Sequence, residues 1–186
     1  MFIGIDLGNK SRNSICVMDG DKLLEWSRLT YDGSITVWQH RKNICEQIRK
    51  YIKKYKLTKK DYLAFEQIFF SRGFSRMANV TSMAFLQATI INEFSEKISI
   101  IEVHVQSWKS KVLGSRSATK EDAVNFVKEN YPDVDLEIVV PHKRKADEII
   151  IDNDTADAIC IALYCNKVDK KKLDEHLVNY TWTEVI

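Results

Sequence analysis

Apolar and polar positions follow two rhythms along this chain, and their order predicts a mixed α/β fold. Residues 2–7 (Phe-Ile-Gly-Ile-Asp-Leu) are almost wholly apolar, which marks a central strand buried on both faces. Ser14-Ile15-Cys16-Val17-Met18 gives a second strand, and Asp19-Gly20 is a hairpin turn into a third over about residues 22–29. Val37, Trp38, Ile44, Cys45, Ile48, Ile52 and Tyr55 then recur mostly at three- and four-residue steps, predicting a long amphipathic helix with a basic outer face. Residues 62–66 read as another buried strand.

A second helix is expected over about residues 75–96, with Met77, Val80, Ala84, Ala88 and Ile91 on its core stripe. Phe85, Leu86 and Ile90 add more apolar surface than one sheet contact needs. That excess suits either a dimer interface or burial between two layers. Residues 98–105 form a fifth strand, parallel to its neighbours because a helix precedes it. Residues 106–113 and 119–130 are two short helices, the second capped by Thr119 with Glu121 and Asp122 in its first turn. Residues 131–152 match no element, and residues 153–166 close the pattern as a helix. The reading is one domain over residues 1–167, with the polar tail 168–186 either part of it or peripheral.

Composition narrows this little. A chain of 186 residues can bury its own core, and 45% hydrophobic with 29% charged residues is ordinary for a globular protein. A net charge of +2 identifies no partner, but basic residues gather at 49–60, 143–145 and 170–172, as local basic surface or as solvated faces. The four cysteines include no Cys-x-x-Cys pair, which suggests a reduced, cytoplasmic protein without a cysteine zinc site. The opening apolar run is short and carries Asp6, unlike a secretory leader, and no apolar run is long enough to span a membrane.

Chemistry enters with the acids. Asp6 before Gly8 at the end of a buried strand is either a turn former or a carboxylate that requires a partner. Glu66 ends the second buried strand in the same way. Asp154 and Asp157 stand at i and i+3, so both face one side of the last helix, with Cβ atoms roughly 5–6 Å apart. Four carboxylates with no other ligand type favour a hard cation, Mg²⁺ or Mn²⁺. Two such ions roughly 3.5–4 Å apart can hydrolyse a phosphodiester. The element order, three antiparallel strands and then alternating helices and strands, matches the RNase H-like fold: a five-stranded mixed sheet flanked by helices.

These residues resemble the RuvC Holliday-junction resolvases. The resemblance rests on Gly4-Ile5-Asp6-Leu7-Gly8, Glu66-Gln67-Ile68-Phe69, Gln106-Ser107-Trp108-Lys109, Ser117-Ala118-Thr119-Lys120 and Asp154-Thr155-Ala156-Asp157-Ala158, in that order over roughly residues 1–165. It implies a homodimeric endonuclease that cuts four-way DNA junctions by paired nicks, with two Mg²⁺ or Mn²⁺ ions per site held by Asp6, Glu66, Asp154 and Asp157. It also implies that Lys120 supports the reacting phosphate, that Lys109 lies near the cleaved strand and that Phe69 stacks on bases at the junction centre. Phe70, Arg72 and Phe74 could share that last task. Two departures stand out. The loop Gly8-Asn9-Lys10-Ser11-Arg12 lacks the family's small residues. The stretch between Lys120 and Asp154 is long and holds His142-Lys143-Arg144-Lys145, either a DNA-contacting segment or a surface loop. Both point to a divergent, phage-type branch acting in a bacterial cell or phage-infected host.

Other readings compete. A broader flap or fork nuclease of the same fold would use the same acids. A non-catalytic junction binder would have no reason to keep four mutually repelling carboxylates. An actin-like or sugar-kinase ATPase also begins with Asp-x-Gly, but needs two domains and more glycine-rich loops than six glycines supply.

Overall fold

A computed structural model of the chain describes residues 1–8, 12–30, 34–68, 74–140 and 146–178, the side chains of residues 12, 30 and 74–79 excepted. Its centre is β1 (Phe2–Leu7), flanked in the sheet by β2 (Arg12–Asp19) and β4 (Tyr62–Glu66). With β3 (Lys22–Thr30) and β5 (Ser99–Val103) at the edges, the strand order is β3-β2-β1-β4-β5. β2 runs antiparallel to both β1 and β3, while β4 runs parallel to both β1 and β5. This is the expected mixed five-stranded sheet. Each parallel neighbour follows a helical crossover, α1 (Val37–Tyr55) or α2 (Phe74–Phe94).

The pleat divides the core in two. Ile3, Ile5, Leu63 and Phe65 face α1 and α2, where Ile44, Ile48, Tyr51, Leu86, Ile90 and Phe94 complete a buried cluster. The other face carries α3 (Val105–Leu113), α4 (Lys120–Asn130) and α5 (Asn153–Lys167) around Ala64, Ile101, Trp108, Ala158 and Ile161. α4 begins as predicted: Thr119 caps it, and the Asp122 side chain accepts from the Thr119 N–H at 2.6 Å to close a capping box.

Three expectations need correction. In α1, Trp38 is not core: it is 73% exposed, and Tyr51 is buried in its place, donating to Ser27 Oγ at 3.0 Å. In α2, the buried apolar residues among those described are Leu86, Ile90, Ile91 and Phe94; of the expected stripe Ile91 is buried, Val80 and Ala84 are half-buried, Ala88 is exposed, and the Met77 side chain lies outside the described residues. The large side chains win the core because they remove more apolar area from water. Phe85 alone of the supposed second face stays exposed, at 60%. Finally, residues 131–152 contain a hairpin of β6 (Glu137–Val140) and β7 (Glu148–Ile151). Neither of its faces is deeply buried, so no alternation of apolar and polar residues announced it.

Past α5, the short helix α6 (Lys170–Asp174) buries Leu173, and the Val178 N–H donates to Ile100 O at 2.9 Å on the open edge of β5. The chain to residue 178 therefore packs on the domain. No described helix is long and apolar enough to cross a membrane.

Candidate active site

The site forms where strand register and helix packing bring acids together. Parallel pairing places Ile5 opposite Phe65, so Asp6 and Glu66 lie side by side at the ends of neighbouring strands. Even-numbered residues of both strands point to the α5 face, as Ala64 in that core shows, which turns both carboxylates toward the helix. Gly4 lets α5 seat directly on β1. A Cβ there would fall well inside contact distance of Ala158 O and 2.9 Å from Ala162 Cβ. The stripe Asp154–Ala158–Ala162 repeats at i+4, so seating the two alanines over Gly4 carries Asp154 toward the acid end of β1. Asp157, one helical step away, is 9% exposed.

The electrostatics record this convergence. Burial raises the Asp6 carboxyl well above the usual range; Asp157, Asp154 and Glu66 push it further, and Lys120 opposes. Burial also raises Asp157, to about 7, against the pull of Lys120 and Lys109 and with the push of Glu66 and Asp154. Glu66 is raised by burial and held back by a hydrogen bond from Trp108 and by Lys109, Lys120 and His104. Among the described residues, Lys120 and Lys109 are the lysines whose charge acts on these acids. Lys109 also braces the loop before α4, its Nζ donating to Ala118 O at 2.7 Å.

Two residues that hold Glu66 escaped the sequence reading. Trp108, fully buried, donates from Nε1 to Glu66 Oε2 at 3.2 Å, and Gln87 donates from Nε2 to Glu66 O at 2.9 Å. A tryptophan on the inner face of a helix was the available signal, because a buried indole N–H requires an acceptor. Of the other candidates, Phe69, Phe70, Arg72, Lys143, Arg144 and Lys145 lie outside the described residues, and Phe74 opens α2 with its side chain outside them.

The donor set consists of carboxylate oxygens, which suit a hard divalent cation. Asp157 Oδ1 is buried with no hydrogen-bond partner among the described residues, an acceptor that suits such an ion. Among the described residues no three acidic, histidine or cysteine side chains close into a ready coordination cage.

The fold is of the RNase H-like α/β class. No protein-family model matches the chain, and no curated protein matches it in sequence. Among solved structures it is similar to RuvC of Thermus thermophilus, with a TM-score of 0.60 at 15% identity over 95% of this chain and 97% of that one. The same protein solved in complex with a Holliday junction substrate gives 0.62 at 16% identity, covering 95% and 96% of the two chains.

Proposed function

We propose that this protein is a metal-dependent, structure-selective DNA endonuclease that resolves four-way junctions by paired nicks. The observation that carries this reading is the register that sets Asp6 beside Glu66 at one end of the sheet, with the first turn of α5, carrying Asp154 and Asp157, seated over β1 and Lys120 acting on the same acids. A RuvC-like fold over 95% of the chain supports the substrate class.

In this reading the four carboxylates bind two Mg²⁺ or Mn²⁺ ions. Bound there, the ions would supply water activation and charge neutralisation at the leaving 3′ oxygen. Asp6, beside Glu66 on the neighbouring strand and under the influence of Asp154 and Asp157, would be one of their holders. Lys120 steadies the phosphate as negative charge builds on it. Trp108 orients the Glu66 carboxylate and Gln87 anchors its backbone carbonyl at the end of β4. Phe69, Phe70, Arg72 and Phe74 serve unpaired bases, and Lys143, Arg144 and Lys145 serve DNA phosphates.

Two nicks on opposed strands require two sites, hence a homodimer. Its interface in this reading is the exposed patch of Val37, Trp38 and Phe85, with the Arg41 guanidinium 5.0 Å from the Trp38 ring and 5.9 Å from the Phe85 ring. Such a protein would act in the cytoplasm of a bacterial cell or phage-infected host.

The test is Mg²⁺-dependent nicking of four-way junction, flap, fork and linear duplex DNA side by side, with Asp6→Asn as control. Paired nicks in the junction, lost in a variant that still binds it, support the assignment. Full cleavage by Asp6→Asn would sink it, and a preference for flaps or forks would recast the protein as a broader debranching nuclease.

A further inference from the structure

The four-carboxylate site has a weakness: α5 must hold Asp154 and Asp157 close to Asp6 although the three repel. The helix dipole favours acids in its first turn, but it does nothing to fix the helix against β1. A separate buried network does. Asp152, fully buried and just ahead of α5, caps the helix: it accepts from Thr155 N at 3.1 Å and also from Thr155 Oγ1. Thr155 Oγ1 in turn lies 2.9 Å from Ser14 Oγ on β2. The first turn of α5 is thereby tied to the sheet two strands from Glu66.

Arg28 on β3 completes the tie. Its Nε ion-pairs with Asp152, and its Nη2 donates to Asp135 O at the other foot of the β6–β7 hairpin. The feet are themselves joined by Asp152 N–H to Leu136 O at 2.8 Å. The guanidinium packs 4.8 Å from the Trp26 ring centroid, which limits where it can swing. One rigid fork thus binds an edge strand, the hairpin stem and the cap of α5. A lysine ammonium, a point charge on a flexible stem, could answer Asp152 but lacks the planar fork that engages both partners at fixed angles.

We propose that Arg28, acting through Asp152 and Thr155, is a positioning residue that holds the N-terminus of α5 so that Asp154 and Asp157 face Asp6 and Glu66. The proposal rests on the metal-site reading above. Arg28 touches neither substrate nor ion in it, and its effect is read in how tightly the acids bind a cation.

The experiment measures Mn²⁺ binding to the DNA-free protein by calorimetry, beside thermal midpoint and single-turnover nicking, for the parent, Arg28→Met, Arg28→Lys and Ser14→Ala. Arg28→Met is expected to weaken Mn²⁺ binding about 10- to 100-fold, as loss of a group that orients metal ligands does. Arg28→Lys should recover part of that loss. Ser14→Ala, which removes only the hydroxyl partner of Thr155, should cost a few-fold and keeps the test open should Arg28→Met fail to fold. Parental Mn²⁺ affinity in folded Arg28→Met, or in both milder variants, would overturn the proposal, whatever their thermal midpoints. A parent protein that nicks junctions but binds Mn²⁺ no better than Asp6→Asn would overturn the metal-site reading itself.

Discussion

Gly4 of β1 and Ala158 of α5 meet backbone to backbone, with no room between them for a methyl group. This contact sets how deeply α5 sits on the sheet, and therefore where Asp157 stands relative to Asp6. Gly4→Ala is expected to lower folding stability by about 3 kcal/mol, the cost of overpacking against a backbone that cannot yield locally. Divalent-ion affinity should fall with it. Denaturant titrations with and without Mn²⁺ separate the two effects, and parental stability in the variant would refute the close approach.

The raised carboxyls predict a specific pH dependence. Asp157 moves from an ordinary 3.8 to about 7 in the folded protein, so between those values the native state holds a proton that the unfolded chain has released. Stability of the metal-free protein should therefore fall as pH rises from about 4 through 7, with the raised Asp6 carboxyl adding to the same decline. A bound divalent ion removes the reason for holding that proton. The Mn²⁺-induced rise in thermal midpoint should be larger at pH 8 than at pH 5, and scanning calorimetry at several pH values with EDTA or Mn²⁺ checks this.

Trp108→Phe tests the support of Glu66. Phenylalanine keeps most of the buried ring but removes the N–H that Glu66 Oε2 accepts, at a cost of about 2 kcal/mol for a hydrogen bond to a carboxylate. Nicking should slow more than junction binding weakens, because the loss falls on the aim of one ligand. Gel-shift and single-turnover assays on the same preparation measure both.

Lys120→Met should reduce the single-turnover nicking rate about 100-fold while leaving junction affinity close to parental, as expected for a cation that acts on developing charge. Its removal also takes away a cation opposing the raised Asp6 and Asp157 carboxyls, so metal-free stability should fall further above pH 7 than the parent's. An unchanged nicking rate would place the phosphate-supporting cation elsewhere, with Lys109 the next candidate.

Much of this architecture was legible locally. A strand buried on both faces is a run of apolar residues whatever surrounds it, so β1 and β4 and the acids at their ends could be read directly. The i,i+3 placement of Asp154 and Asp157 follows from helical geometry alone, and Thr119 announced its own cap. The face that α2 turns to the core was not local, because both of its stripes are apolar and only the packing of Leu86, Ile90 and Phe94 against the sheet chose between them. Nor was the β6–β7 hairpin, whose short strands bury too little on either face to impose an alternation.

The sequence by itself determined which residues carry charge into apolar elements, because an acid at the end of an apolar strand demands a partner and that placement is visible in the residue order. Tertiary structure decided what stands opposite them. Strand register set Glu66 beside Asp6, and a missing side chain at Gly4 let α5 bring Asp154 and Asp157 within reach. Trp108 lies 42 positions from Glu66 and Arg28 lies 124 from Asp152, so neither pairing has a local signature. Periodicity and capping act within a few residues of chain, whereas the support of a polar site is assembled from whatever side chains the fold brings alongside.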